Sequence, residues 1–355
     1  MPKTINTSPQ RQNAESTASV GSIASVGGTA SVGSTASVGS AYLAFHGYED
    51  KLRSELVGPR TELGSLFLSP GPLQNLQWAQ LSIPKLQRHK IASVGAAKKI
   101  LLSSSQKFWS PYYYAAIRRC KLITEQLPYA YLAERRIAFM SKIPNNSMGF
   151  FTLLDNDTLL CSPHTSSPYP LGRYEFQENK SEAPSRAYLK LWELFQRLQL
   201  RPSADSQCLE IGAAPGGWSW ALAPQVQSIE AWDRADLDAG VLAQYPNITA
   251  KKGDIFKLSP EQYPHIDWVF SDVIATPERM RGWLQPWLED TAKVRNFVIT
   301  LKLKEGGDSK EQQQAKEAVS LLGAVPGSHI VHLYHNKHEF TWYLIRNKEK
   351  TRVFF

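Results

Sequence analysis

Three cysteines in 355 residues, Cys120, Cys161 and Cys208, stand far apart. They form no disulfide framework and no paired-cysteine metal motif, so each reads as a small apolar packer in a reducing, cytoplasmic setting. No apolar run is long enough to cross a bilayer, and the N-terminus lacks the apolar core of a secretory signal. No His, Cys and Asp cluster has metal-ligand spacing. The dinucleotide fingerprint G-x-G-x-x-G is missing, which argues against NAD. The expectation is a protein without a membrane span or a metal.

What the chain does carry is positive charge, unevenly laid out. Forty Lys and Arg against 32 Asp and Glu give +8, a balance that favours a polyanionic partner. Residues 1–40 are low complexity, with Ala-Ser-Val-Gly recurring at Ala18, Ala24, Ala30 and Ala36. Val20, Ile23, Val26, Val32 and Val38 are too few to offset the entropy of ordering, so this stretch reads as a disordered tail. Residues 41–162 read as an α+β region, opening with a strand over 41–45 and a helix over 49–57. Within it, Lys98, Lys99, Lys107, Arg118, Arg119, Arg135 and Arg136 interleave with Phe108, Trp109, Tyr112, Tyr113 and Tyr114. Cations neutralise phosphates and aromatic faces stack on unpaired bases, so RNA contact is expected here. A hairpin about Asp155-Asn156-Asp157 closes the region. The Pro- and Ser-rich stretch 163–181 reads as a linker, and 182–350 as a second domain.

That domain is organised around Cys208-Leu209-Glu210-Ile211-Gly212-Ala213-Ala214-Pro215-Gly216-Gly217-Trp218-Ser219. An apolar run breaks on small residues and reopens as a helix. Bare backbone amides then face outward at a helix N-terminus, where a carboxylate or phosphate can sit. Strands over 228–232, 248–252, 265–270 and 297–303 follow. Asp233, Asp254 and Asp272 close the first three, where ligands of open α/β sheets collect. Asp233, about 20 residues past the glycine turn, suits a ribose-hydroxyl acceptor. Lys302, near the end of the fourth, is costly to bury unless it is used. Strands over 329–334 and 340–345 flank Asn336-Lys337-His338, and Glu339 opens the last.

Gly-Ala-Ala-Pro-Gly-Gly-Trp-Ser at Gly212 to Ser219 resembles the first motif of the RrmJ/FtsJ group of S-adenosylmethionine-dependent RNA 2′-O-methyltransferases. Ala183-Pro184-Ser185-Arg186, followed by Leu189-Lys190-Leu191, resembles the segment that carries the group's first catalytic lysine. Lys190, Asp272, Lys302 and Glu339 match its Lys-Asp-Lys-Glu tetrad in order and local context. With Ser271-Asp272-Val273, Pro277, Trp287-Leu288 and His332-Leu333-Tyr334-His335, the chain is similar to the RlmM-like group, large-subunit rRNA cytidine 2′-O-methyltransferases. The likeness covers roughly residues 163–346. The string from Ala41 to Asp50 resembles the opening of THUMP-associated RNA methyltransferases. The resemblance implies a Rossmann-like seven-stranded sheet with its last strand antiparallel, preceded by a smaller ferredoxin-like or THUMP-like region, here shorter than usual. It implies that the cofactor's methionine end lies over Ala214, Pro215, Gly216 and Gly217, beside Ser185. The ribose would meet Asp233, the adenine Asp254 and the sulfonium Asp272.

A ribose 2′-hydroxyl is a poor nucleophile and must lose its proton as it attacks the methyl. Lys302 is expected to accept that proton, kept neutral by a crowded, cationic, partly dry site. Asp272 would orient it, Lys190 tune the site and Glu339 position Lys190 or the ribose. The partner is expected to be RNA with an unpaired nucleotide, and the protein a monomer or weak homodimer. Three other readings remain: a 2′-O-methyltransferase for tRNA or a cap, a non-catalytic RNA-binding assembly factor, and a small-molecule methyltransferase.

Overall fold

The computed structural model describes residues 37–129, 136–289, 294–304 and 309–346. The Ala-Ser-Val-Gly repeats through residue 36, and Arg135, lie outside the described residues. Of the tail expected over 1–40, residues 37–40 are described: the Val38 N–H donates to the Leu86 carbonyl at 2.7 Å, and Ser40 belongs to the first strand. A neighbouring backbone supplies there what the small side chains cannot.

Two four-stranded sheets precede the site. The first holds β1 (Ser40–Ala44), β2 (Thr61–Leu63), β3 (Leu66–Ser69) and β4 (Ala79–Ile83), all antiparallel in the order β2-β3-β1-β4, with α1 (Glu49–Glu55) after β1. This is a β-α-β-β-α-β arrangement lacking its second helix. The second holds β5 (Gln87–Lys90), β6 (Trp109–Tyr112), β7 (Gly149–Leu153) and β8 (Thr158–Ser162), in the order β5-β8-β7-β6, with α2 (Val94–Ser103) and α3 (Ile117–Glu125). The expected hairpin is β7 against β8, antiparallel.

The third sheet carries the site. Its strands are β9 (Gln207–Ile211), β10 (Ser228–Asp233), β11 (Ile248–Lys252), β12 (Trp268–Ser271), β13 (Asn296–Lys302), β14 (Ser328–Val331) and β15 (Glu339–Ile345). Their order is β11-β10-β9-β12-β13-β15-β14, and β15 runs antiparallel to both neighbours. This is the Rossmann-like seven-stranded methyltransferase sheet. The helices are α4 (Tyr188–Leu198), α5 (Gly217–Leu222), α6 (Ala239–Gln244), α7 (Pro277–Glu289) and α8 (Ser309–Gly323). Central strands such as Phe297-Val298-Ile299 are buried on both faces, which explains their unbroken apolar runs.

Each face of this sheet recruits residues from earlier in the chain. On one, Leu191, Phe195 and Trp218 pack with Tyr169, Tyr174 and Phe176, so the stretch expected as a linker is folded onto the core. Three aromatic rings in 163–181 outweigh its prolines. On the other, Tyr42, Leu52, Phe67 and Trp78 share one core with Trp283, Leu284, Phe297 and Phe340. All three cysteines are buried, and burial pushes the Cys120 and Cys161 thiols up to about 12, so they pack rather than react. No described helix is long and apolar enough to cross a membrane.

The turn after β9 depends on Gly212. Its φ is +74°, and a Cβ there would lie 2.7 Å from the Val273 Cα. Left-handed strain and a backbone clash therefore combine at one position. Gly212→Ala is expected to cost about 3 kcal/mol of stability, read from denaturant unfolding. A loss within experimental error would mean that the two loops do not close on each other.

Candidate active site

Four charged side chains arrive from four elements at the carboxyl ends of the strands. Asp272 follows β12, Lys302 ends β13, Glu339 opens β15 and Lys190 stands in the first turn of α4. Lys302 and Glu339 are cross-strand partners, which is why residues 37 apart meet. Lys190 Nζ donates to both Asp272 oxygens at 2.9 Å and lies 2.6 Å from Glu339 Oε1. Lys302 Nζ donates to Asp272 Oδ1 at 2.6 Å and to Glu339 Oε2. Each ammonium thus sits between two carboxylates, in a closed ring of alternating sign. Thr300 Oγ1 adds a hydrogen bond to Asp272 at 2.9 Å. Side-chain exposure is 11% for Lys190, 16% for Asp272, 22% for Lys302 and 6% for Glu339.

At Asp272 and Lys302 burial opposes the charge, and the partners outweigh it. Burial would raise the Asp272 pKa, but Lys190 and Lys302 hold it below the usual carboxylate value. Burial would lower the Lys302 pKa, but Asp272 and Glu339 hold it above the usual lysine value. Asp272 therefore adds stability above its unfolded pKa that is lost as pH falls through its folded one. The Lys302 contribution is present below its unfolded pKa and lost as pH rises through its folded one. A crowded, cationic site was expected to keep Lys302 neutral; its contacts here are instead the Asp272 and Glu339 carboxylates, which favour the ammonium.

The glycine turn forms the adjoining wall. Gly216 has φ +111°, and the Pro184 and Ser185 side chains lie against Gly216 and Gly217. A Cβ on Gly217 would stand 2.3 Å from Ser185 Oγ, so a side chain there would displace that hydroxyl. Helix α4 begins at Tyr188, and Ser185, ahead of it, lies against Gly217. Asp233 Oδ2 accepts from the Ala214 N–H at 3.0 Å, and Oδ1 from Ala235 at 2.9 Å, so the carboxylate braces the turn and keeps a lone pair on each oxygen. Asp254 accepts from the Phe256 N–H at 3.2 Å and faces Arg234 at 3.7 Å. Among the described residues, no group of three His, Cys, Asp or Glu is arranged to hold a metal ion.

Sequence reasoning missed two buried acids. Glu193, one turn beyond Lys190, accepts from the backbone N–H groups of Tyr334 and His335 at 2.8 and 3.0 Å and pairs with Arg197 at 2.6 Å. It ties the lysine's helix to the chain entering Glu339. Its i, i+3 spacing from Lys190 was the available signal. Glu210, in the middle of β9, is 2% exposed and accepts from Ser219 Oγ at 2.6 Å. An acid inside Cys-Leu-Glu-Ile was visible as an interruption of an apolar strand.

Burial pushes the Glu210 carboxyl up to about 8. A raised carboxyl keeps its proton in the folded state while the unfolded chain releases it, so stability falls as pH rises between the two values. Glu210→Gln keeps the acceptor for Ser219 without that liability. Its stability relative to the parent is expected to grow between about pH 5 and about pH 8, by a few kcal/mol at most, in denaturant titrations. A difference independent of pH would show that Glu210 is ionised when folded.

Residues 183–287 match the family described as FtsJ-like methyltransferase. That span holds Lys190, the glycine turn, Asp233, Asp254 and Asp272; Lys302 and Glu339 join it through the ring. The Ribosomal RNA large subunit methyltransferase M of Halorhodospira halophila is 32% identical over 193 residues, 54% of this chain and 54% of its own length. That of Pseudoalteromonas atlantica is 30% identical over 201 residues, 52% of this chain and 54% of its own. The chain thus spans about half the length of the curated relatives it matches. Among solved structures, the Methanococcus jannaschii fibrillarin pre-rRNA processing protein is 19% identical, with a TM-score of 0.32 over 59% of this chain and 86% of its own. Residues 183–287 are thus similar to the FtsJ-like methyltransferase family, and the sheet to which they belong continues past them to β15.

Proposed function

We propose that this chain transfers a methyl group from S-adenosylmethionine to a ribose 2′-hydroxyl of RNA, with a cytidine of large-subunit rRNA as the favoured target. The observation that carries the reading is the ring of Lys190, Asp272, Lys302 and Glu339 at the strand ends, next to a glycine turn flanked by Pro184 and Ser185. The relatives' name, Ribosomal RNA large subunit methyltransferase M, supports the substrate class. We take the protein to act in the cytoplasm as a monomer or weak homodimer.

The residues present suit S-adenosylmethionine. The narrow cradle of Ala214, Pro215, Gly216 and Gly217 with Ser185 would take a carboxylate-bearing chain. Asp233 keeps lone pairs for ribose hydroxyls, Asp254 would accept from the adenine amino group, and Asp272 is an anion for a sulfonium. When bound, that cofactor supplies an electrophilic methyl.

The chain's own residues do the rest. Lys302 is the proton acceptor in this reading, and it must first release a proton of its own to solvent, which its partly exposed side chain can reach. A cation brought up to Asp272 weakens the hold of that carboxylate on Lys302 and lowers its pKa toward the accepting range. Lys190, still charged, stabilises the developing oxyanion. Glu339 keeps both ammonium groups in place, so much of the acceleration is alignment.

Surface residues of the second sheet support an RNA partner. Of the basic and aromatic residues noted in the sequence, Trp109 is core, whereas Tyr113, Tyr114, Lys99 and Arg118 are exposed. These can meet bases and phosphates without unfolding.

Comparing 2′-O-methyl maps of total RNA from cells with and without the protein tests the reading. Loss of one large-subunit cytidine mark is the expected result. An intact rRNA map with a lost tRNA mark would move the substrate, and no lost mark anywhere would end the proposal. At the residue level, Lys302→Ala is expected to lower turnover by about a thousandfold or more while S-adenosylmethionine still binds. Equal loss of binding and turnover would take the proton-acceptor role from Lys302.

A further inference from the structure

Between β14 and β15 the chain makes a short excursion over residues 332–338, and Glu339 is the first residue past it. Two grips fix this excursion from outside the ring. Glu193 holds the backbone of Tyr334 and His335, as described above. On the opposite side, the His332 Nε2–H donates to the Lys337 carbonyl at 2.9 Å and ties the start of the loop to its end. The His338 carbonyl in turn accepts from the Leu303 N–H at 2.7 Å, next to Lys302.

His332 is itself gripped by the N-terminal sheet. Its ring is 4% exposed and lies 4.3 Å from the Phe45 ring, 4.6 Å from Trp78 and 5.4 Å from Tyr48, centre to centre. The same elements reach both neighbours of Glu339: Tyr48 meets His338 edge-on at 4.9 Å, and Trp78 packs on Phe340 at 5.0 Å. With Nε2 committed to a carbonyl, the neutral ring carries its lone pair on Nδ1, which is buried with no hydrogen-bond partner. A proton there would be a charge among aromatic rings, and burial accordingly pushes the imidazole down to about 4. The ring is therefore a neutral, permanent donor to Lys337.

We propose that His332 is a positioning residue for Glu339: Phe45, Tyr48 and Trp78 clamp its ring, the ring holds the 332–338 loop, and the loop sets Glu339 between the two lysines. The residues that flank the first sheet, Phe45 after β1, Tyr48 before α1 and Trp78 before β4, are then a working part of the active site. The inference rests on reading the ring as the site of methyl transfer, but its geometry can be tested separately.

The test titrates Lys302 in the full chain with ¹³C-labelled lysine, the signal being assigned with Lys302→Arg. In His332→Ala, a misplaced Glu339 leaves Lys302 with one firm carboxylate, so its pKa is expected to fall by about one unit. Over the same change, kcat for RNA methylation should drop about tenfold or more while KM for S-adenosylmethionine stays within about twofold. His332→Gln keeps an N–H donor and should recover part of both. If His332→Ala does not fold, Phe45→Leu thins the clamp without removing a hydrogen bond and should give the same changes in smaller measure. An unchanged Lys302 pKa and kcat in a folded variant would overturn the proposal. So would a kcat loss that merely follows the folded fraction. A wild-type chain that methylates no RNA would instead end the functional reading, and the Lys302 titration would still decide the clamp.

Discussion

Two lysines and two carboxylates, largely withdrawn from water, neutralise one another in a closed ring. Each charge alone would be costly at that burial. Lys190 without its carboxylates, or Glu339 without its lysines, would leave an unpaired ion, which typically costs about 3–5 kcal/mol. The four positions are thus bound together as a set, and the fold must deliver all four to one point. The strand ends of an open α/β sheet do this with little extra machinery: Asp272 and Lys302 leave neighbouring parallel strands, and antiparallel β15 brings Glu339 back beside Lys302.

The ring also explains why so much of the chain is spent on indirect support. Gly212 lets Val273 approach β9, Glu193 ties the Lys190 helix to the chain entering β15, and His332 ties that chain to itself. The N-terminal sheet shares a core with the methyltransferase sheet, so the two are energetically one body in this region. Two regions that share packing can bias each other through small displacements, because a packed core has few intermediate arrangements.

Much of this was legible in the sequence, and the reasons are specific. The central strands announced themselves through the apolar runs before Asp272 and Lys302, because strands buried on both faces tolerate few polar residues, whereas β11, Ile-Thr-Ala-Lys-Lys, is an exposed edge. Lys302 was legible because it interrupts an apolar run; the other members of the tetrad were picked out through the resemblance. The sign of the site's surroundings was not: the spacing of Lys190 and Lys302 says nothing about which charges lie between them. Nor was the packing of 163–181, where Tyr169, Tyr174 and Phe176 are hidden among prolines and serines that suggest a loose linker. The grip on the Glu339 loop was invisible for a different reason. Phe45, Tyr48 and Trp78 stand more than 250 residues ahead of His332 in the sequence, and only tertiary contact relates them.

If the ring is one electrostatic unit, its members cannot contribute independently. A double-mutant cycle on methyl-transfer kcat, using Asp272→Asn, Glu339→Gln and the double variant, addresses this most directly. The double variant should be about as slow as the slower single variant. Losses that multiply would mean that Asp272 and Glu339 act separately, and the account of a single four-member site would fail.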